Sequence, residues 1–185
     1  MSGLLHKNSR QAMSSLESFK VDLKAIGDQP LALSLHADDA FFEAIGASEP
    51  RKGSVDVALA VNKVKGGYYE LSFSLDGEVT VTCDRCLGDM SQPISGSGSI
   101  MARLGEGYSD DGDLVTVGAD DGILDTAWLV YEFIALGIPI KHVHAPGGCD
   151  AAMVEALNAH SASPADDGGQ AIDPRWSGLE KLKNQ

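Results

Sequence analysis

The chain has 185 residues, 43% of them hydrophobic and 22% charged, which supplies a real core and suits one domain with tails. Lys and Arg number 14 against 27 Asp and Glu, so the formal net charge is −13, and such a chain repels polyphosphate at long range. That balance excludes a basic DNA-binding module and a binder of anionic membranes. No run reaches the roughly 18 apolar residues of a bilayer span, the N-terminus lacks an apolar core of signal-peptide length, and three cysteines are too few for a disulfide scaffold. A soluble protein of the reducing cytoplasm is the expectation.

Residues 1–15 are polar and are expected to be flexible. Phe19, Val21 and Leu23 alternate with charged residues, the period-2 sign of a half-buried strand, and Leu31, Leu33 and Leu35 alternate again. Asp38 and Asp39 open a short helix around Phe41, Phe42 and Ile45 that Gly46 stops. Val55 to Val61, Tyr69 to Leu75, and Val79 to Val81 then read as three strands. Gly66-Gly67 stands before the second and Asp76-Gly77, a two-residue hairpin signal, between the second and third. A weaker, Ser/Gly-rich strand is expected from Ile94 to Leu104. Short turns favour antiparallel pairing, because parallel strands need long crossovers.

No Lys or Arg occurs between Arg103 and Lys141, whereas Glu106, Asp110, Asp111, Asp113, Asp120, Asp121, Asp125 and Glu132 do. The segment reads as an acidic surface, with Leu114, Val115 and Val117 as a short strand. Asp125 suits an N-cap for a helix over Thr126–Leu136, stopped by Gly137 and Pro139. Its run Trp128-Leu-Val-Tyr131, Phe133-Ile134 and Leu136 is apolar nearly all round, which predicts a buried helix across the sheet. A second helix starts at Asp150 and carries Met153, Val154 and Leu157. Residues 161–173 have the composition of a disordered linker. Residues 174–185 regain Trp176, Leu179 and Leu182 on one helical stripe beside Arg175, Lys181 and Lys183, the pattern of a short recognition helix or of a tail that docks back on its own domain. The fold class is α+β: an antiparallel sheet or partial barrel of about five to seven strands over residues 16–160. A buried helix and a short second helix cover it, and the termini are disordered.

Cys83-Asp-Arg-Cys86 is the sharpest local feature. Thiolates in a CxxC turn converge on one metal ion. A redox pair would instead place its first cysteine at a helix N-terminus, where the dipole lowers the thiol pKa. Here a strand precedes and a turn follows. A structural zinc needs about four ligands, and the remaining candidates are His142, His144 and Cys149. Cys83, Cys86 and Cys149 with one histidine make a Cys₃His set; the alternative is ordinary reduced thiols beside surface histidines. Glu132 interrupts the apolar helix. Either it meets a histidine or Arg85 in a cleft, or the helix is exposed along that line and Glu132 points to water. Phosphate-binding GxxxxGK[ST], strand–GxGxxG–helix and GxSxG patterns are all missing, so no reaction is indicated.

These residues, in this order, resemble the YceD family, the bacterial and plastid domain of unknown function 177. The resemblance is carried by Val81-Thr-Cys83-Asp-Arg-Cys86-Leu87, Asp125 with the apolar helix and Glu132, Leu136-Gly-Ile-Pro139, His142 to Cys149-Asp150, and Asp173-Pro-Arg-Trp176 with Leu179 and Leu182. It implies a non-enzymatic role in accumulation of 23S ribosomal RNA and biogenesis of the large subunit. The implied partners are a ribosomal precursor, rRNA or a large-subunit ribosomal protein. Relatives often carry a second cysteine pair where this chain has His142, His144 and Cys149 alone. Candidate binding residues are Arg85, Asp125 and Glu132, with Arg175, Trp176 and Leu179 in the tail. RNA binding draws on Lys and Arg, so the charge favours docking on a basic ribosomal protein, with residues 106–125 imitating RNA. A zinc-knuckle adaptor with no RNA contact is the competing function, and an enzyme using Cys83 and Cys86 a third.

Overall fold

A computed structural model describes residues 16–46 and 48–161. The first compact unit ends at Cys149 and the second begins at Asp150. In the first, strand β1 (Lys20–Asp22) lies between two single 3₁₀ turns. Strand β2 (Leu31–Ala37) leads into helix α1 (Asp39–Ile45). Asp38 caps that helix by accepting from the Phe41 N–H at 3.0 Å, and Gly46 closes it at φ +68°, in the left-handed region that lacks a penalty only for glycine. Three long strands follow: β3 (Lys52–Val64), β4 (Tyr68–Thr82) and β5 (Asp89–Gly105). Then come β6 (Ser109–Asp110), β7 (Leu114–Gly118), β8 (Ile123–Asp125) and helix α2 (Ala127–Leu136). The second unit contains helix α3 (Ala151–His160), capped by Asp150 through the Met153 N–H, with no buried residue.

The six-stranded sheet has the order β2-β3-β4-β5-β7-β6, and β1 pairs with β8 in a separate two-stranded ribbon. The α+β class and the strand number are those expected, and the sheet remains open. One face is apolar by strict alternation: Val55, Val57, Leu59 and Val61 of β3 stand beside Leu75, Phe73 and Leu71 of β4 and are all buried. Helices α1 and α2 and the segment Phe19–Leu23 cover that face. Phe19 meets Phe41 at 4.8 Å between ring centroids, and Phe73 meets Phe133 at 4.8 Å. Thr126, fully buried, sends both its N–H (2.9 Å) and its hydroxyl (2.7 Å) to the Phe19 carbonyl. The Tyr131 hydroxyl donates to the Glu49 carbonyl. Among the described residues no helix is long and apolar enough to cross a membrane.

Four expectations need correction. Asp76-Gly77 is not a turn; it lies inside β4, where Gly77 pairs with Val55 on one side and Ile94 on the other. A Cβ at Gly77 would stand 2.3 Å from the Ser54 carbonyl oxygen, so glycine serves close backbone approach between strands rather than chain reversal. The sheet is not wholly antiparallel, because β5 and β7 are parallel. Between them the acidic loop and β6 supply the crossover. Helix α2 starts one residue late: Thr126 is its N-cap, while Asp125 ends β8 and accepts from the Ala127 N–H at 3.0 Å. Nor is α2 buried all round. Ala127, Leu129, Val130, Tyr131 and Ile134 face the core, but Trp128 is 51% and Leu136 81% exposed. The expectations for residues 1–15, for residues 162–173 of the linker, and for Arg175, Trp176 and Leu179 lie outside the described residues.

Gly98 is where α2 rests on β5. A Cβ there would stand 2.3 Å from Cε1 of Phe133, whereas one at Gly96, two residues earlier, meets nothing within 4 Å. Gly98→Ala should therefore destabilise the protein by about 1–3 kcal/mol, the usual range for overpacking. Gly96→Ala should stay within about 0.5 kcal/mol of the parent. Urea unfolding of the two variants side by side measures the difference, and equal midpoints would contradict this seating of the helix.

Candidate metal centre

Cys83 is the first residue beyond β4, and Cys86 sits three residues later in the turn that joins β4 to β5. The Cys83 N–H donates to the Gly88 carbonyl and the Leu87 N–H to the Cys83 carbonyl, each at 2.9 Å. Leu87 closes the loop at φ +59°, the one described residue other than glycine with positive φ. The Arg85 N–H points at Cys83 Sγ, 3.4 Å away, while the Arg85 side chain is exposed. Both cysteine side chains are buried beneath this turn.

The segment after α2 folds back onto the turn. The Asp84 N–H donates to the His142 carbonyl at 3.0 Å, and the His142 N–H donates to the Asp84 carboxylate at 2.8 Å. This reciprocal pair fixes the register of the two loops. It brings Cys149 Sγ to 3.9 Å from Cys83 Sγ, and His144 Nδ1 to 3.3 Å from Cys86 Sγ. The four ligand atoms of Cys83, Cys86, His144 and Cys149 all lie within 4.8 Å of one another, a possible metal-binding arrangement. Metal–sulfur bonds of about 2.3 Å in a tetrahedron separate neighbouring sulfurs by about 3.8 Å. The Cys83–Cys149 spacing matches that edge. His144 Nε2 lies 3.2 Å from the Asp89 carbonyl. Donation from Nε2 leaves the Nδ1 lone pair for the cluster, the usual way an imidazole ligand is oriented.

His142 is not part of the cluster. Its Nδ1 faces the Pro139 carbonyl at 3.0 Å, and its Nε2 lies 3.6 Å from Asp84. Spacing alone leaves the two histidines equivalent; the backbone pairing at Asp84 is what assigns His144 to the sulfurs. Glu132 meets neither a histidine nor Arg85. It is exposed and accepts from Trp128 Nε1 at 2.7 Å, in keeping with the alternative in which that line of the helix faces water.

The electrostatics separate the three thiols. Burial opposes a thiolate at Cys83, but N–H groups of Cys86, His144 and Arg85 and the Cys86 thiol point at its sulfur and bring its pKa down to about 5. Burial, followed by the neighbouring sulfurs of Cys86 and Cys83, pushes Cys149 up to about 11. The Cys83 sulfur chiefly holds His144 above its ordinary value, against desolvation. A thiol lowered from 9.0 to about 5 on folding contributes stability that is complete above pH 9.0 and lost as the pH falls through about 5. In chelator, the urea midpoint of the parent relative to Cys83→Ser should therefore fall steadily between those limits. A pH-independent gap would contradict a thiolate at this position.

No curated protein and no solved structure matches the chain. A family model does, over residues 71–183: that of the large ribosomal RNA subunit accumulation protein YceD. The matched span begins in β4 and includes the cysteine turn, the acidic segment, α2 and the whole four-ligand cluster. It covers well over half of the sequence, and the chain belongs to the YceD family.

Proposed function

We propose that the chain is a non-enzymatic factor in the accumulation of large-subunit ribosomal RNA. It acts by docking on a ribosomal precursor through protein contacts, with a structural zinc in the Cys83–Cys86–His144–Cys149 cluster. The family match over residues 71–183 carries the ribosomal assignment. Protein rather than RNA as the docking partner follows from charge: a chain of net charge −13 has few cations with which to release counterions from phosphates. The zinc assignment is supported by the donor set, three sulfurs and one imidazole nitrogen within 4.8 Å of one another, the chemistry that selects zinc among common divalent ions. The metal would hold the segment 138–149, which contains no helix or strand, against the turn of the β4–β5 hairpin. The alternative, a zinc-knuckle protein-binding adaptor without RNA contact, shares the same knuckle.

Protein purified without chelator should contain close to one zinc per chain. His142→Ala should keep it, and His144→Ala or Cys149→Ser should lose most of it and melt at lower temperature, since binding energy at such a site is folding energy. Elemental analysis with thermal denaturation reads both; retention by His144→Ala with loss by His142→Ala would reverse the ligand assignment. On a sucrose gradient the chain should travel with large-subunit precursors, and mild nuclease that trims exposed RNA should leave it bound. Release by nuclease would indicate an RNA-borne contact. Sedimentation at the top of every gradient would favour the adaptor.

A further inference from the structure

Helix α2 turns an unusual stripe to solvent. Trp128, Glu132 and Leu136 follow one another at helical spacing on its outer line, and Ile140 lies beyond the helix end. Trp128 is 51%, Leu136 81% and Ile140 fully exposed. Tyr108, 69% exposed, stands within the electrostatic reach of Glu132. Desolvation first, and then the charges of Asp110, Glu132 and Asp125, hold its phenol above the ordinary value. Beside the stripe a cavity of about 220 Å³ is lined by Ile100, Leu129, Phe133 and Leu136 together with Asp113 and Glu132. Large apolar side chains gathered on a surface in this way mark a contact site.

The tryptophan is already oriented. Its Nε1–H is committed to Glu132 at 2.7 Å, and its ring packs on Tyr131 at 5.3 Å between centroids. A partner therefore meets an aromatic face with a carboxylate at its edge. That pair of features receives a guanidinium, stacked on the ring and paired with the carboxylate. In sequence, residues 104–140 carry eight carboxylates and no Lys or Arg, and one of them, Asp113, lines the same cavity as Glu132.

We propose that the outer face of α2, with the cavity beside Leu136, docks a cationic amphipathic segment of a partner protein. An arginine of that segment sits over Trp128 against Glu132, and an aliphatic side chain enters the cavity. RNA bases could stack on the indole, but their phosphates would then face the carboxylates. A second copy of this chain would set the same acidic surface against itself. The proposal rests on the protein-docking reading above and adds to it the surface and the chemistry of the partner.

The test places a benzophenone amino acid at position 136 in the full chain, which is then illuminated with two preparations. One is large-subunit precursor particles; the other is total large-subunit protein stripped of RNA. Peptide mapping should find cross-links to protein segments in which Arg or Lys alternates with aliphatic residues. Trp128→Ala should reduce their yield about tenfold and Glu132→Gln severalfold, with melting temperatures near the parent's, since both side chains lie outside the core. Cross-links to RNA, to the chain itself or to a second copy overturn the proposal. So does unchanged yield in Trp128→Ala, or the lack of cross-links in both preparations. Co-sedimentation that persists in Trp128→Ala rejects this surface while leaving the ribosomal role standing. Cross-links to basic segments without co-sedimentation reject the ribosomal role and retain the surface.

Discussion

The β4–β5 hairpin organises the molecule. Strand β4 is paired along its full 15 residues with β5, and nearly as far with β3 on the other side. Because side chains alternate, one register decides the fate of the whole surface: Leu71, Phe73, Leu75, Val79 and Val81 fall on one face and are buried, while Ser72, Ser74, Asp76 and Glu78 fall on the other. A slip by one residue would expose the entire apolar set. The same hairpin ends in the Cys83–Cys86 turn, so the register that builds the core also fixes where two of the four sulfur and nitrogen ligands stand.

Features whose cause is local were legible in the amino-acid order. Asp38 and Gly46 bracket α1 because a carboxylate can satisfy free N–H groups and a glycine can adopt positive φ. The alternation of β3 and β4 was equally plain. Asp76-Gly77 misled because a turn and a close interstrand approach both need a residue without Cβ; only the neighbouring backbone at Ser54 and Val55 distinguishes them. The parallel pairing of β5 with β7 and the ribbon of β1 with β8 depend on contacts far apart in sequence, which short apolar runs such as Val21 or Leu124 do not announce.

The candidate centre was legible as a ligand inventory, not as a geometry. Cys83, Cys86 and Cys149 could be nominated from chemistry, but His142 and His144 are two residues apart and chemically identical. Their separation into a loop anchor and a cluster member comes from one pair of hydrogen bonds at Asp84. The outer stripe of α2 was hidden for a different reason. Trp128 and Leu136 are apolar, so the helix looked buried on every side. Hydrophobicity tells that a side chain prefers cover; it does not tell whether the cover comes from its own chain or from another.

The segment from Ile138 to Cys149 shows what the cluster contributes physically. It contains no helix or strand, and its backbone is tied down chiefly by the His142–Asp84 pair and the Gly148–Ala145 turn. Ordering a loop of this kind costs roughly 1–2 kcal/mol per residue in backbone entropy, more than two or three hydrogen bonds near the surface return. Cys149, its last member, is also the last residue of the first compact unit. A metal bound by Cys83, Cys86, His144 and Cys149 would close this loop onto the hairpin at both His144 and Cys149, adding to the partial burial of Ile138 against the core and of His142 beside Asp84.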